Sequence, residues 1–388
     1  MKKMTGAPPS GRRIPWTAFL LFALFIFPAV AQEKGPVTIA QVAPVEGPVG
    51  FYTKSIHDGM AAYFGWVNSR GGIRGHRLAL LLEDAPLDAQ KTLEKYIQIA
   101  KLHQPVAFVY PLSPTVIDGL LDANIGSRLG IPIIGTVPQM YRRRNPVNPH
   151  LFFVGVSDAS EIRKMVEHIS TIGMRKISVV HWNDSTTSGL VEIIRASAKS
   201  HGLEIVGEHP VLPDGKGDLT AAIHETGKGS ASAVISLLPA HETAKLLSGV
   251  RTAGSRIAVY GPSYNDASLI EKYAETDGIH GVSVSQIVPN PDSPILPLAV
   301  EFRRHFSEFA PGSKSNSHAF QGYIAAKIIV QALMRCPDPR NPACLRGELE
   351  NIRDHDLGGL IVNYSSRNHD GLSYVDIGMI SRNGKLLR

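Results

Sequence analysis

The stretch Glu46-Gly47-Pro48-Val49-Gly50-Phe51-Tyr52 follows an apolar run, Val37 to Val42, that reads as a β-strand. A Gly-Pro turn leading to an aromatic ring at the carboxyl end of a strand lies where open α/β sheets hold ligands. Its plainer reading is a strand-to-helix turn. Ser113-Pro114-Thr115 stands in the same relation to the run Val106 to Tyr110. Ser at a cap and Pro at the first helical position start a helix, and the free amides there favour an anion. Ser113 either caps the helix alone or also meets a guest. Trp182, Tyr52 and Tyr264 sit at loop bases, where flat rings either wall an organic ligand or pack against their neighbours. The chemistry these residue types support is noncovalent capture of a small molecule.

Turnover chemistry has no comparable signal. The 15 histidines, among them His57, His76, His103, His168 and His181, are scattered with no pair at helical ligand spacing, so no metal site is expected. The chain contains no G-x-S-x-G elbow, no H-E-x-x-H, no G-x-x-x-x-G-K-[ST] loop and no G-x-G-x-x-G after a strand. Glu83-Asp84 follows a strand and reads as capping or solvent-facing rather than as an acid/base pair. An exported enzyme is the natural rival class, but it lacks a motif, and no cofactor is expected.

Residues 1–31 carry Lys2, Lys3, Arg12 and Arg13, an apolar run from Trp16 to Val30 and a terminal Ala29-Val30-Ala31. This is the pattern of a cleavable secretory signal peptide. A membrane anchor is the alternative, but the run is shorter than the roughly 20 apolar residues that a bilayer needs. Arg12-Arg13 hints at a twin-arginine signal, and Ile14-Pro15-Trp16 fits that pattern poorly, so the export route stays open. Removing those four basic residues, with no acidic ones, takes the formal charge from +6 to +2. A balance so near neutral does not support a basic nucleic-acid surface. Arg142-Arg143-Arg144 is the one dense basic run, and between Pro138 and Pro146 it reads as a solvated loop face. Cys336 and Cys344 enclose a proline-stiffened loop, and in an exported chain an even count at close spacing favours a local disulfide.

Strand-like and helix-like segments alternate along the chain. Strands are expected at Val37 to Val42, Leu78 to Glu83, Val106 to Tyr110, Ile131 to Ile134 and Phe152 to Val156, then at Ile177 to His181, Ile205 to Glu208, Ala233 to Leu237, Ile257 to Gly261 and Val282 to Gln286. Asp158 with Glu161 resembles a capping box, and Gly173, Gly202 and Gly254 read as helix stops. Such alternation implies parallel sheets covered by helices on both faces. Leu360 to Tyr364 and Leu372 to Ile380, joined around Asp370-Gly371, read as a β-hairpin. Breaks near Phe153-Val154-Gly155, near Val284 to Pro294 and near Gly358-Gly359 suggest three crossings between two lobes. The expected division is lobe 1 over 36–154 and 284–358 and lobe 2 over 155–283 and 359–388, a hinge geometry suited to closing on a ligand.

Taken in order, these segments resemble the type I periplasmic solute-binding proteins, specifically the leucine/isoleucine/valine-binding group. Glu46 to Tyr52 is similar to the first ligand loop of that family. Gly71-Gly72-Ile73-Arg74-Gly75 with Leu78 to Asp84 resembles its Gly-Gly-Ile-x-Gly turn, strand and acidic terminus. Gly130-Ile131-Pro132 and Thr136-Val137-Pro138-Gln139-Met140 resemble the second ligand loop, and Arg251-Thr252-Ala253-Gly254 with Tyr260-Gly261-Pro262 the end of the second lobe. The resemblance implies two Rossmann-like α/β lobes with parallel sheets joined by a three-strand hinge. It also implies that one lobe grips a carboxylate with hydroxyls and amides, a role that falls on Thr136 and on the Ser113 and Thr115 loop, where either Leu112 or Ser113 stands at the family's serine.

The second lobe departs from the family pattern. Ser263 replaces the acidic residue expected after Gly261-Pro262, Pro239 lies where a tyrosine is expected, and Trp182-Asn183-Asp184 lacks the usual tyrosine. A buried ammonium left without a paired charge costs several kcal/mol, so a plain branched-chain amino acid is not the expected ligand. Asp184 either supplies the missing carboxylate or is an exposed loop residue. The resemblance implies a monomeric binding protein that delivers a small organic solute, amino-acid-like or related, to an ABC permease in the inner membrane. The same body could instead report its ligand to a membrane receptor.

Overall fold

The computed structural model describes residues 1, 3–7, 34–212, 218–275, 279–381 and 386–387. The signal peptide expected over 1–31 lies, apart from 1 and 3–7, outside them. Lys34–Arg388 forms one compact unit.

That unit begins with β1 (Lys34–Val42), α1 (Gly47–Ser69), β2 (His76–Glu83), α2 (Ala89–His103), β3 (Ala107–Val109), α3 (Pro114–Asp122), α4 (Ile125–Leu129), β4 (Ile133–Ile134) and β5 (Leu151–Phe152). It continues with α5 (Asp158–Thr171), β6 (Lys176–Trp182), α6 (Ser185–Ser200), β7 (Glu204–Val211), α7 (Thr220–Lys228), β8 (Ala233–Ser236), α8 (Ala240–Thr252), β9 (Ala258–Gly261), α9 (Ala267–Tyr273) and β10 (Val282–Gln286). The last part holds α10 (Pro297–Phe309), α11 (Ser317–Arg335), α12 (Pro342–Glu350), β11 (His355–Asp356), β12 (Ile361–Val362), β13 (Asp376–Ile380) and β14 (Leu386–Leu387).

Two sheets organise two lobes. The first is parallel, in the order β2-β1-β3-β4-β5. The second runs β14-β13-β10-β9-β8-β6-β7, parallel from β7 to β10 and finished by antiparallel β13 and β14. In each sheet the strand order reverses once, between β1 and β3 and between β6 and β8. A crevice opens there at the carboxyl ends of the strands, because consecutive helices leave to opposite faces. Buried strand residues such as Val37, Ile39, Val179 and Ile235 carry helices on both sides, which is why these strands read as continuous apolar runs.

Several local expectations are corrected. The stretch Gly47 to Tyr52 is the opening of α1, with Pro48 in its first turn, so Tyr52 projects from a helix rather than a loop. Ser157, not Asp158, caps α5 by accepting from Ser160 N, and Glu161 turns elsewhere. The expected hairpin does not form: β12 pairs with β11, while β13 pairs with β10 and β14. Leu360, Val362, Tyr364 and Leu372 pack into the core of the first lobe with Phe152 and Ile134. The segment after Tyr364 runs beside the end of β5, since Gly371 N donates to Phe153 O at 3.0 Å and Leu372 N to Val154 O at 2.9 Å.

Cys336 and Cys344 form the disulfide, tying the C-cap of α11 to α12 with Cα atoms 5.9 Å apart. Arg142 to Arg144 are not a solvated face. Arg142 and Arg143 both pair with Asp118 on α3, and the Arg144 side chain is 9 % exposed and bonded to Asp370 at 2.6 Å.

Candidate ligand-binding cleft

A cavity of ≈ 160 Å³ lies where the two crevices face each other. The first lobe contributes Val49 and Tyr52 from α1, Leu112, Ser113 and Pro114 after β3, and Val137 and Pro138 after β4. The second lobe contributes Trp182, Asp184, Thr186, Thr187 and Leu190 around the start of α6, Leu237 and Pro239 after β8, and Tyr264 after β9. The strand-end placement follows from topology: the loops after β1, β3, β6 and β8 flank the two points of strand reversal.

Of the eight side chains singled out in the sequence, Tyr52, Ser113, Trp182, Asp184 and Tyr264 meet at this cavity. Thr115, Thr136 and Ser263 are not among its lining residues. Thr136 is fully buried and its hydroxyl donates to Pro138 O at 2.7 Å, which sets the loop that presents Val137 and Pro138. The Ser263 amide (2.7 Å) and hydroxyl (3.1 Å) both donate to the Glu161 carboxylate, away from the cavity. Thr115 lies one residue past the Ser113-Pro114 edge of the cavity.

The lining is apolar, and most of its polar atoms are already engaged. Tyr52 Oη donates to Tyr264 O at 2.5 Å, a bond that joins the lobes, and Tyr264 Oη donates to Leu237 O at 3.1 Å. Burial raises both phenols above their ordinary range, so each remains a protonated donor. Asp184 Oδ1 accepts from Thr186 N and Thr187 N, both at 2.8 Å, as the N-cap of α6. Sequence reasoning missed Asp158, which lines the cavity beside Pro138. It is 1 % exposed, its Oδ1 accepts from Tyr141 N and Ala159 N, and burial pushes its carboxyl up to about 6. The signal for it in the sequence is an acidic residue in the first turn of a helix, a pattern that equally reads as a capping box.

Ser113 caps α3 at φ 74°, a backbone region that favours glycine, and its Oγ is 3.5 Å from Val116 N. Among the described residues no group of three or more His, Cys, Asp or Glu side chains is arranged to hold a metal ion, and no helix is long and apolar enough to cross a membrane.

Two hinged α/β lobes with a cavity at both points of strand reversal define a solute-binding body. A sequence-family model for the periplasmic binding proteins matches residues 36–385, and the chain belongs to that family. Its members bind solutes and do not turn them over, which sets the enzyme rival aside. No curated protein matches the sequence. Among solved structures, the chain is similar to an extracellular ligand-binding receptor from Verminephrobacter eiseniae, with 25 % identity, TM-score 0.83, and 91 % of this chain and all of that one covered. It is similar to a substrate-binding periplasmic protein from Ralstonia solanacearum, with 23 % identity, TM-score 0.82, and coverage of 90 % and 99 %. A branched-chain amino acid ABC transporter protein from Thermus thermophilus with bound valine shares the fold at 17 % identity, TM-score 0.76, and coverage of 92 % and 95 %.

Proposed function

We propose that this chain is the periplasmic substrate-binding subunit of an ABC-type importer, exported through a cleaved leader. As a monomer it captures a small organic solute between its lobes and presents the closed form to an inner-membrane permease. The observation that carries this reading is the apolar cavity built from the strand ends of both sheets and spanned by the Tyr52 to Tyr264 bond. Lining from both lobes means that a guest stabilises the closed form through contacts the open form cannot make, the requirement for a ligand-driven population shift. Similarity to a transporter binding protein supports the importer role over other uses of the fold.

We assign ligand contact to Tyr52, Ser113, Trp182, Asp184 and Tyr264. Thr136 acts through Pro138, and Thr115 and Ser263 act by shaping the loops. The test is to purify the protein natively, identify the extracted small molecule by mass spectrometry, and titrate it back by tryptophan fluorescence. Tyr52→Ala removes a cavity wall and the bond between lobes, and is expected to weaken affinity about tenfold or more, roughly 1.4 kcal/mol. Thr136→Ala is expected to weaken it less, and both variants, though less stable than the parent protein, are expected to stay folded at 25 °C. Unchanged affinity in both would remove this site.

A further inference from the structure

We infer that Arg142 is a positioning residue of the binding cycle, a latch anchored on the first lobe that closes on the Thr186 wall of the cavity. The inference rests on the cleft reading above and adds to it a residue from outside the lining. Arg142 follows β4 in the 3-10 turn Tyr141–Arg143, and its guanidinium is paired with Asp118 on α3 of the same lobe. Its Nη2 also donates at 2.8 Å to Thr186 Oγ1, in the first turn of α6 in the other lobe. Thr186 lines the cavity, and Arg142 does not. The bond runs from lobe to lobe, so it exists only while the lobes stand together.

The anchor lies wholly on the first lobe. Asp118 takes Arg142 on one carboxylate oxygen and Arg143 Nε on the other at 2.6 Å, and Arg143 Nη2 reaches Asp122 at 2.9 Å. Two cations and two anions therefore balance there without help from the second lobe. A planar guanidinium fixed in this way has little rotamer freedom left to lose, so its bond to Thr186 costs little further ordering. That bond has a charged donor, which makes it one of the stronger kind. The same turn seats Tyr141 in the other lobe, where its ring packs against the core and its amide donates to Asp158 Oδ1 at 2.8 Å. Arg142 is thus carried to the lobe boundary by its neighbour while its own charge is tied back to α3. A guest that draws α6 towards the first lobe completes the Arg142 bond, and the bond must break before the guest leaves. Its signature lies in the dissociation rate rather than the association rate.

The experiment reads the separation of the lobes by electron resonance on protein stripped of bound compounds by unfolding and refolding without reductant. Spin labels go on Glu94→Cys in α2 and Glu192→Cys in α6, both exposed positions, and no free cysteine among the described residues competes for them. The parent protein is expected to show a short-distance, closed component. Arg142→Gln is expected to lower the ratio of closed to open about three- to tenfold, and Arg142→Lys to recover part of it. Arg143→Gln loses an ion pair with the same Asp118 but no bond to the other lobe, and is expected to stay within about twofold of the parent. In a second arm, stopped-flow tryptophan fluorescence on the compound that co-purifies is expected to show release from Arg142→Gln faster by about the same three- to tenfold, with association within about twofold of the parent. A parent with no closed component, equal distributions in the parent and Arg142→Gln, or a shift in Arg143→Gln as large as that in Arg142→Gln each overturns the latch. Unchanged release from Arg142→Gln overturns it as well. None of these outcomes touches the functional reading, which fails instead if no compound co-purifies, and the guest-free distance measurement then still decides the latch.

Discussion

Glu161 is 1 % exposed, and its carboxylate collects the Ser263 amide, the Ser263 hydroxyl and the Ser285 hydroxyl. Burial outweighs these bonds and pushes its carboxyl up to about 7 from an ordinary 4.5. The folded chain therefore holds a proton that the unfolded chain has released, and stability is lost as pH rises between these two values. Glu161→Gln keeps the shape and the bonding pattern without the charge. It should flatten that pH dependence and raise stability at pH 8 by on the order of 2–3 kcal/mol, checked by urea unfolding at pH 5 and pH 8. A wild-type protein equally stable at both pH values would refute the account. The sequence showed Ser263 where an acid was expected, but not that a carboxylate from 102 residues away had come to meet it. Pairings of that range are set by how helices dock on a sheet, which local spacing does not encode.

Helix α1 carries Tyr52 near its start and packs against α11 through reciprocal glycines. A methyl at Gly59 would fall inside the contact radius of Ala319 O, and one at Gly322 inside that of Ile56 O. Both obstacles are backbone, so no rotamer change relieves them and the helices must separate. Gly59→Ala and Gly322→Ala should each cost about 1–3 kcal/mol in chemical unfolding, despite the roughly 1 kcal/mol that Gly to Ala returns in helix propensity. A stability gain in either would contradict the close approach. At this scale much was legible. Of the strands from β1 to β10, all but β5 fall where apolar runs placed them, whereas β5 ends at Phe152 instead of starting there, and Gly173, Gly202 and Gly254 follow the ends of α5, α6 and α8 in the left-handed region. The C-terminal segments were misread because β12 and β13 each look like half of a hairpin. Their partners, β11 and β10, are chosen by which core each segment enters.

On the scale of the whole molecule, Arg144 ties distant segments together: its guanidinium lies 4.0 Å over the Phe153 ring, pairs with Asp370 and donates to Gly155 O at 3.1 Å. His318, at the start of α11, faces Asp266, the N-cap of α9 in the other lobe, with Nε2 and Oδ2 3.8 Å apart. The groups facing His318 are the rings of Phe51 and Tyr52 from α1, Asp266, and Gln321 on its own helix. Burial lowers the His318 pKa below its ordinary 6.5, and Asp266 only partly opposes this. The closed form therefore holds a neutral imidazole, while parting the lobes returns the ring to water and its ordinary pKa. Because the open form binds the proton more tightly, acidification through the region below 6.5 shifts the population towards it, and ligand affinity falls with it. Affinity for the co-purified compound should drop on the order of three- to tenfold between pH 7.5 and 5.5. Asp158 and Glu161 also gain protons there, so the discriminating measurement is the same titration on His318→Gln. That variant should lose most of the pH dependence while keeping its affinity at pH 7.5. A His318→Gln protein with the parent's full pH dependence would assign the effect to the buried acids instead.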